Sequence, residues 1–263
     1  MSSKVLVTGS HGYVGTATRK LLEDSGYKIV EVDKKINKDT RLIFKHVNPK
    51  TLSCIIHLSA KKSIQDSIKN PAGYYLNNLF STLIVGLTSR LFDIPVVFAS
   101  SAAVYNPYNP YAKSKLLEEK VLKSLCKKLV ILRYFNIVGK SDKIKDDQGG
   151  NIFSIIGKNP KININSVSST RDYVHVLDIA KANLLSIEYL KNNDFLLTDI
   201  FTGNQFTMIE LVNEYKANGV HIEYAVLNLP DLTVLPEIDN RDLLGWFASY
   251  TFSDGVRSEV VFR

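Results

Sequence analysis

The sequence predicts an α/β chain built on a doubly wound parallel sheet, with a small C-terminal subdomain. Three observations predict it. Short runs at 53–58 (SCIIHL), 95–99 (PVVFA) and 129–134 (LVILRY) are apolar at almost every position, as strands covered on both faces must be. Stretches of helical periodicity alternate with these runs. A glycine cluster, Gly9, Gly12 and Gly15, separates the first strand from the first helix.

Taken in order, residues 4–8 (KVLVT) read as a strand and 14–22 as a helix entered through the glycines. A second β-branched run covers 27–32 (YKIVEV), and 53–58 is the third strand. Helical spacing recurs at 74–92 and 111–128, on either side of the strand at 95–99, and 129–134 closes the series. Residues 136–170 are polar and weakly periodic, and are expected to form loops with one short helix near 152–156. Beyond them come a strand at 173–176, a helix at 178–190, a strand at 195–201, a helix at 208–216 and a strand at 221–226. Some of these later segments must return to the main sheet, so no clean linker is visible.

A length of 263 residues exceeds one minimal domain and falls short of two. With 45% hydrophobic and 22% charged residues, the composition excludes disordered, collagen-like and coiled-coil chains. No stretch reaches the roughly 18 to 20 uninterrupted apolar residues of a membrane span, and Val5-Leu6-Val7 is too short for a signal-peptide core, so a cytoplasmic location and no membrane partner are expected. Cys54 and Cys126 lie in apolar surroundings without CxxC or Cys/His spacing, which argues against a disulfide framework and a metal site. The net charge of +7 is spread over lysines, densest at Lys34-Lys35, Lys61-Lys62 and Lys127-Lys128. It reads as solvated helix faces and not as a nucleic-acid surface.

The strand–glycine–helix junction Thr8-Gly9-Ser10-His11-Gly12-Tyr13-Val14-Gly15 is the context a dinucleotide pyrophosphate requires. Glycines let the backbone approach the phosphates at a helix N-terminus, and Asp33, 18 residues beyond Gly15, ends the second strand. An acidic side chain there accepts hydrogen bonds from ribose hydroxyls and repels a 2′-phosphate, which favours NAD over NADP. Lys34-Lys35 is the opposing hint. Residues 1–135 are therefore expected to form a Rossmann-like NAD-binding domain, with later segments returning to it, and 136–263 mainly a substrate-binding subdomain.

After the strand at 95–99 comes Ser100-Ser101-Ala102-Ala103, and shortly afterwards Tyr111-Ala112-Lys113-Ser114-Lys115 opens a helix. Tyr111 and Lys115, four apart, share one helix face. A lysine ammonium within a few Å of a phenol favours the phenolate and suits proton abstraction from a hydroxyl. Ser101, at the carboxyl end of a central strand, can hydrogen-bond the same oxygen. Such a Tyr-Lys pair is common by chance, and it gains meaning only beside the serine strand and the glycine turn.

These residues resemble the extended short-chain dehydrogenase/reductase family, in its NAD-dependent nucleotide-sugar epimerase/dehydratase branch. Further motifs carry the resemblance: His57-Leu58-Ser59-Ala60-Lys61-Lys62, the run 71–83 with the pair Asn77-Asn78, 132–139 (LRYFNIVG), 171–180 (RDYVHVLDIA) and Leu244-Gly245-Trp246. The resemblance implies Tyr111 as base, Lys115 on the nicotinamide ribose, and Ser101 on the reacting hydroxyl. It implies cofactor contacts from Gly9, His11, Gly12, Tyr13, Val14, Gly15, Asp33, Leu58, Lys62 and Asn77, and contacts to the substrate diphosphate from Asn136, Asn151 and Arg171. Ordinary alternatives exist: Asn136 caps a strand end, Asn151 caps a short helix, and Arg171 pairs with Asp172 or Asp178. His57 and His175, in or beside apolar strands, read as packed structural histidines, and His11 as filler over the phosphates.

The chain departs from that pattern by being short. Asn106-Pro107-Tyr108-Asn109-Pro110 replaces a longer loop before Tyr111, the segment after Asp33 is cut down, and His46-Val47 stands where an acidic residue normally contacts adenine. A second diphosphate arginine, expected just before Asp231-Leu232, is replaced by Asn228-Leu229-Pro230. The expected activity is nucleotide-sugar 4-epimerisation, of the UDP-glucose/UDP-galactose type, by a possible homodimer. The alternatives are a 4,6-dehydratase, a keto-sugar reductase, or a non-catalytic NAD-binding sensor or scaffold.

Overall fold

A computed structural model of the chain describes residues 4–140, 161–164, 166–227 and 233–261. Strand β1 (Lys4–Thr8) runs between β2 (Lys28–Val32) and β3 (Leu52–His57), and β4 (Val96–Ser101), β5 (Leu129–Tyr134) and β9 (Phe195–Ile200) continue the sheet beyond β3. The order is β2-β1-β3-β4-β5-β9, with every neighbouring pair parallel. Because side chains alternate across a strand, Val5 and Val7 join one core cluster and Leu6 the other. The first is covered by α1 (Tyr13–Asp24) and α6 (Val176–Tyr189), the second by α4 (Pro71–Phe92) and α5 (Pro110–Leu125), with the short helices α2 (Ile43–His46) and α3 (Ile64–Lys69) preceding α4 in the chain. The doubly wound Rossmann-like architecture is therefore present, and the direction of strand order reverses between β1 and β3, where such sheets bind ligands.

The loop expectation for 136–170 is corrected. Residues Asn136–Val138 (β6) and Lys161–Ile164 (β7) are strands, while the expected helix at 152–156 lies outside the described residues. Strands this short carry no readable period and are fixed by tertiary pairing: β6 lies parallel to β8 (Thr170–His175), and β7 to β11 (Glu223–Val226). A third strand, β10 (Gln205–Thr207), pairs antiparallel with β8. The small sheets pack with α7 (Met208–Ala217) and α8 (Phe252–Val261) around Val138, Ile164, Tyr215, Phe252 and Val256. Helix α8 was not expected, although its start is written in the chain. The Thr251 hydroxyl accepts from the Asp254 N–H at 3.1 Å while the Asp254 carboxylate accepts from the Thr251 N–H at 2.9 Å, a reciprocal cap.

Candidate active site

A cavity of about 260 Å³ opens at the carboxyl ends of β1, β3, β4 and β5. Its wall includes Gly9, Gly12, Tyr13, Val14, Gly15, Leu58, Lys62, Ser101, Tyr111 and Lys115, all expected site residues, together with Lys35, Ala60, Tyr134, Phe135 and Ile137, to which the sequence assigned no site role.

The glycines are forced. Gly9 adopts φ +69°, and a Cβ there would meet Ser59 N at 2.9 Å; a Cβ on Gly15 would lie 2.0 Å from the Gly9 carbonyl oxygen. Gly12 caps α1 without a side chain on the first-turn N–H groups, so the helix N-terminus faces the cavity wall bare. Bare amides, the positive helix end and a backbone cradle that a Cβ would fill suit a dinucleotide pyrophosphate. Asp33 ties this turn to β2: one oxygen accepts from the His11 N–H at 2.9 Å and the other from the Lys35 N–H at 2.8 Å. Asp33, His11 and Asn77, also expected to touch the cofactor, do not line the cavity. The His11 ring lies 3.4 Å from Glu31 and 3.0 Å from the Ser10 hydroxyl. Asn77 accepts from the Lys34 ammonium at 2.6 Å and donates to Asn78 at 3.0 Å. Of the basic pair, Lys35 alone reaches the cavity; burial lowers the Lys34 pKa, and Asp39, 3.7 Å away, opposes that shift.

The short loop before Tyr111 delivers α5 by a compact cap. The buried Asn109 side chain accepts from the Ala112 N–H at 2.9 Å, and Pro110 occupies the first helical position, where a missing N–H costs nothing. That places Tyr111 and Lys115 on the cavity side of the helix. Lys115 is 4% exposed and its ammonium donates to the Ala99 carbonyl at 3.0 Å. Ser101 ends β4, and its Oγ accepts from the Ala103 N–H at 3.2 Å, which fixes the hydroxyl at the cavity wall. Next to it on β5, Arg133 forms a buried bidentate pair with Glu119 at 2.9 and 2.8 Å, and Glu119 also accepts from the Ser100 hydroxyl at 2.6 Å.

The residues expected on the substrate diphosphate do not line this cavity. Asn136 is exposed at the start of β6 and donates to the Asp172 carbonyl at 3.2 Å; Arg171 on β8 donates to the Thr170 carbonyl at 2.6 Å. Both stand on the small sheet and outside the cavity wall, and Asn151 lies outside the described residues. The ion-pair alternative for Arg171 is not what Asp172 and Asp178 do. Asp172 takes the Thr202 and Gly203 N–H groups at 2.8 and 2.7 Å, and Asp178 those of Ser249 and Tyr250 at 3.0 and 3.1 Å.

Both strand histidines are buried and bonded. His57 contacts the Thr8 and Thr82 hydroxyls at 2.7 and 3.0 Å, and His175 accepts from the Leu177 N–H at 3.2 Å while stacking on Tyr250. Burial pushes their pKa values down to about 3 and about 4. A histidine whose folded-state pKa is depressed stays neutral while the unfolded chain protonates below about 6.5, so its stabilising effect is lost as pH falls through that window. His175→Asn keeps an acceptor for Leu177. It is expected to reduce the slope of unfolding free energy against pH by roughly 1 kcal/mol per pH unit between about pH 6 and 4.5. Urea titrations across that range check it, and an unchanged slope would show that His175 is not held neutral.

The chain matches the NAD dependent epimerase/dehydratase family over residues 5–197. It belongs to that family. It is 28% identical to a UDP-glucose 4-epimerase of Mus musculus, covering 94% of this chain and 92% of that one, and 29% identical to one of Dictyostelium discoideum, covering 98% and 94%. The mouse alignment runs over 320 positions, more than this chain's 263 residues, so this member is shortened by gaps. Among solved structures it superposes on a UDP-glucose 4-epimerase from Bifidobacterium longum in complex with NAD+ and UDP. The TM-score there is 0.86 at 25% identity, over 99% of this chain and 98% of that one. An epimerase from Brucella ovis in complex with NAD gives the same TM-score at 25% identity over 97% and 96%.

Proposed function

We propose that this family member is an NAD-dependent UDP-sugar 4-epimerase, in which residues 1–135 bind NAD and residues 136–263 mainly bind the sugar nucleotide. The observation that carries the reading is the convergence of Ser101, Tyr111 and Lys115 on the one cavity whose floor is the glycine cradle. Ser101 holds the C4 hydroxyl of the sugar, Tyr111 takes its proton, and Lys115 holds positive charge beside the phenol as it ionises. Bound NAD supplies a hydride acceptor at C4 that can give the hydride back to the opposite face of the keto sugar. A rotating sugar needs a wall that does not grip it, and Tyr134, Phe135 and Ile137 provide a largely apolar one. Elimination of water would need a further acid-base pair. The residues after Ser101 are Ala102 and Ala103, and neither methyl group can act as an acid or a base.

Incubation with UDP-glucose alone, followed by proton NMR, tests the reading. UDP-galactose is expected to appear without added reductant, whereas a 4-keto-6-deoxy sugar would indicate a dehydratase. Within the proposal, Arg171 is the cation assigned to the diphosphate, helped by Asn136 and Asn151. Arg171→Ala is expected to weaken UDP binding by roughly 1.5 to 3 kcal/mol in calorimetry, the worth of a charge-assisted bond. Wild-type affinity in that variant would remove Arg171 from the site.

A homodimer is also part of the proposal. Along α4, Leu76 (70% exposed), Phe80, Leu83, Leu87 and Leu91 (70% exposed) form an apolar stripe at spacings of four and three, a face that a second copy would cover. Sedimentation is expected to give twice the chain mass, and Leu83→Lys with Leu87→Lys a monomer; a monomeric wild type would refute it. Among the described residues no helix is long and apolar enough to cross a membrane. We place the enzyme in the cytoplasm, where Cys54 and Cys126 remain free thiols.

A further inference from the structure

On α5, three residues beyond Lys115, stands a carboxylate for which the mechanism above has no use. Glu118 is fully buried, and its Oε2 accepts from the Lys115 ammonium at 3.2 Å and from the Thr82 hydroxyl at 3.0 Å. Its Oε1 lies 3.4 Å from the Ser114 hydroxyl. The single Thr82 proton goes to the carboxylate, so Thr82 Oγ must accept from His57 Nε2–H, and His57 Nδ1 then accepts from the Thr8 hydroxyl at 2.7 Å. Donation therefore runs one way from the base of the glycine turn, through Thr8, His57 and Thr82, to Glu118, and Lys115 donates to the same carboxylate from the other side. A buried carboxylate costs several kcal/mol unless it is paired, and this one is placed where its charge offsets that of the lysine.

We propose that Glu118 is a positioning residue for the reaction, one that fixes the Lys115 ammonium and sets how much of its positive charge reaches Tyr111. The proposal rests on the Tyr111–Lys115 assignment and deepens it. Tyr111, Lys115 and Glu118 fall at i, i+4 and i+7 on one face of α5, so the backbone positions of base and carboxylate are about 10 Å apart along the axis and Lys115 stands between them. Glu118 and Ala99 take two of the three ammonium N–H groups, and the third remains for the cavity that Lys115 lines.

Among the described residues, the other ionisable groups facing the pair are His57 from β3, Tyr74 from α4, Tyr134 from β5, and Lys35 and Lys62 across the cavity. His57 is neutral, burial raises both tyrosines, and Glu119 and Arg133 close on each other. His57, Tyr74 and Tyr134 therefore stay uncharged from about pH 5 to 9.

Glu118→Gln tests the proposal, because the amide oxygen can still accept from Lys115 and Thr82 while the charge is gone. With the lysine no longer offset, the acid limb of the kcat profile is expected to move to lower pH by about half to one unit. Plateau kcat is expected to fall about three- to tenfold with KM within about twofold, since a base made more acidic is a weaker one. Glu118→Asp, which keeps the charge, is expected to hold the limb in place. Circular dichroism and NAD content are read first, and Glu118→Met, also uncharged and of similar length, gives the same reading should the amide variant not fold. An unmoved or upward-moved limb in a folded, NAD-loaded variant would overturn the role of Glu118 alone. A wild type without epimerase activity would overturn both this proposal and the functional reading beneath it.

Discussion

Tyr111→Phe is expected to lower turnover at least about a hundredfold while the protein still folds and binds NAD, because the ring stays and the ionisable oxygen goes. The surroundings make this a clean substitution. Tyr111 sits at the second position of α5, whose start is held by the Asn109 cap and Pro110, so the backbone does not depend on the phenol. Lys115 keeps its bonds to Ala99 and Glu118 without it. Turnover of UDP-glucose, measured beside NAD content, checks the prediction. Activity within a few-fold of wild type would remove Tyr111 as the base.

Gly15→Ala is expected to abolish NAD binding and to destabilise the fold. A methyl there would stand 2.0 Å from the Gly9 carbonyl oxygen and 2.9 Å from Ser10 C, so either α1 or the turn must move. The turn cannot move cheaply. Gly9 is already close against Ser59, its N–H bonds the Val32 carbonyl at 2.8 Å, and Asp33 holds the His11 N–H. Forced movement in a packed site costs about 1 to 3 kcal/mol or more, and displaced amides no longer converge on a phosphate. The checks are a thermal melt and the nucleotide released on denaturation. Wild-type NAD content in Gly15→Ala would show that the cradle is not the cofactor site.

The main sheet was legible because its strands carry a doubly apolar pattern that little else in the chain imitates, and the glycine turn because steric exclusion leaves no other residue at positions 9 and 15. Boundaries shifted by a few residues where caps decide them. α4 begins at Pro71, behind the Asn70 side chain that accepts from the Gly73 N–H at 2.9 Å, and not at residue 74. The small sheets were illegible because β6 and β10 are three residues each and owe their form to β8. At the site, Ser101, Tyr111 and Lys115 could be read from spacing. Tyr134 could have been found by noting that β5 lies beside β4, which sets it opposite Ser101. Glu118 could not, since one more glutamate in a Glu-Glu-Lys run reads as a solvated helix face until packing buries it. Asn136 and Arg171 show the reverse case: a motif places them on the right strands, yet the cavity forms without them.

The central claim is that hydrogen leaves C4 of the sugar and returns to C4 within one bound state. UDP-glucose deuterated at C4, incubated with the enzyme in ordinary water and no added reductant, tests it most directly by NMR of the hexose product. The predicted result is UDP-galactose with its C4 deuterium retained. Loss of the deuterium to solvent, its appearance at C6 of a 4-keto-6-deoxy sugar, or a strict need for stoichiometric NAD(P)H would contradict it.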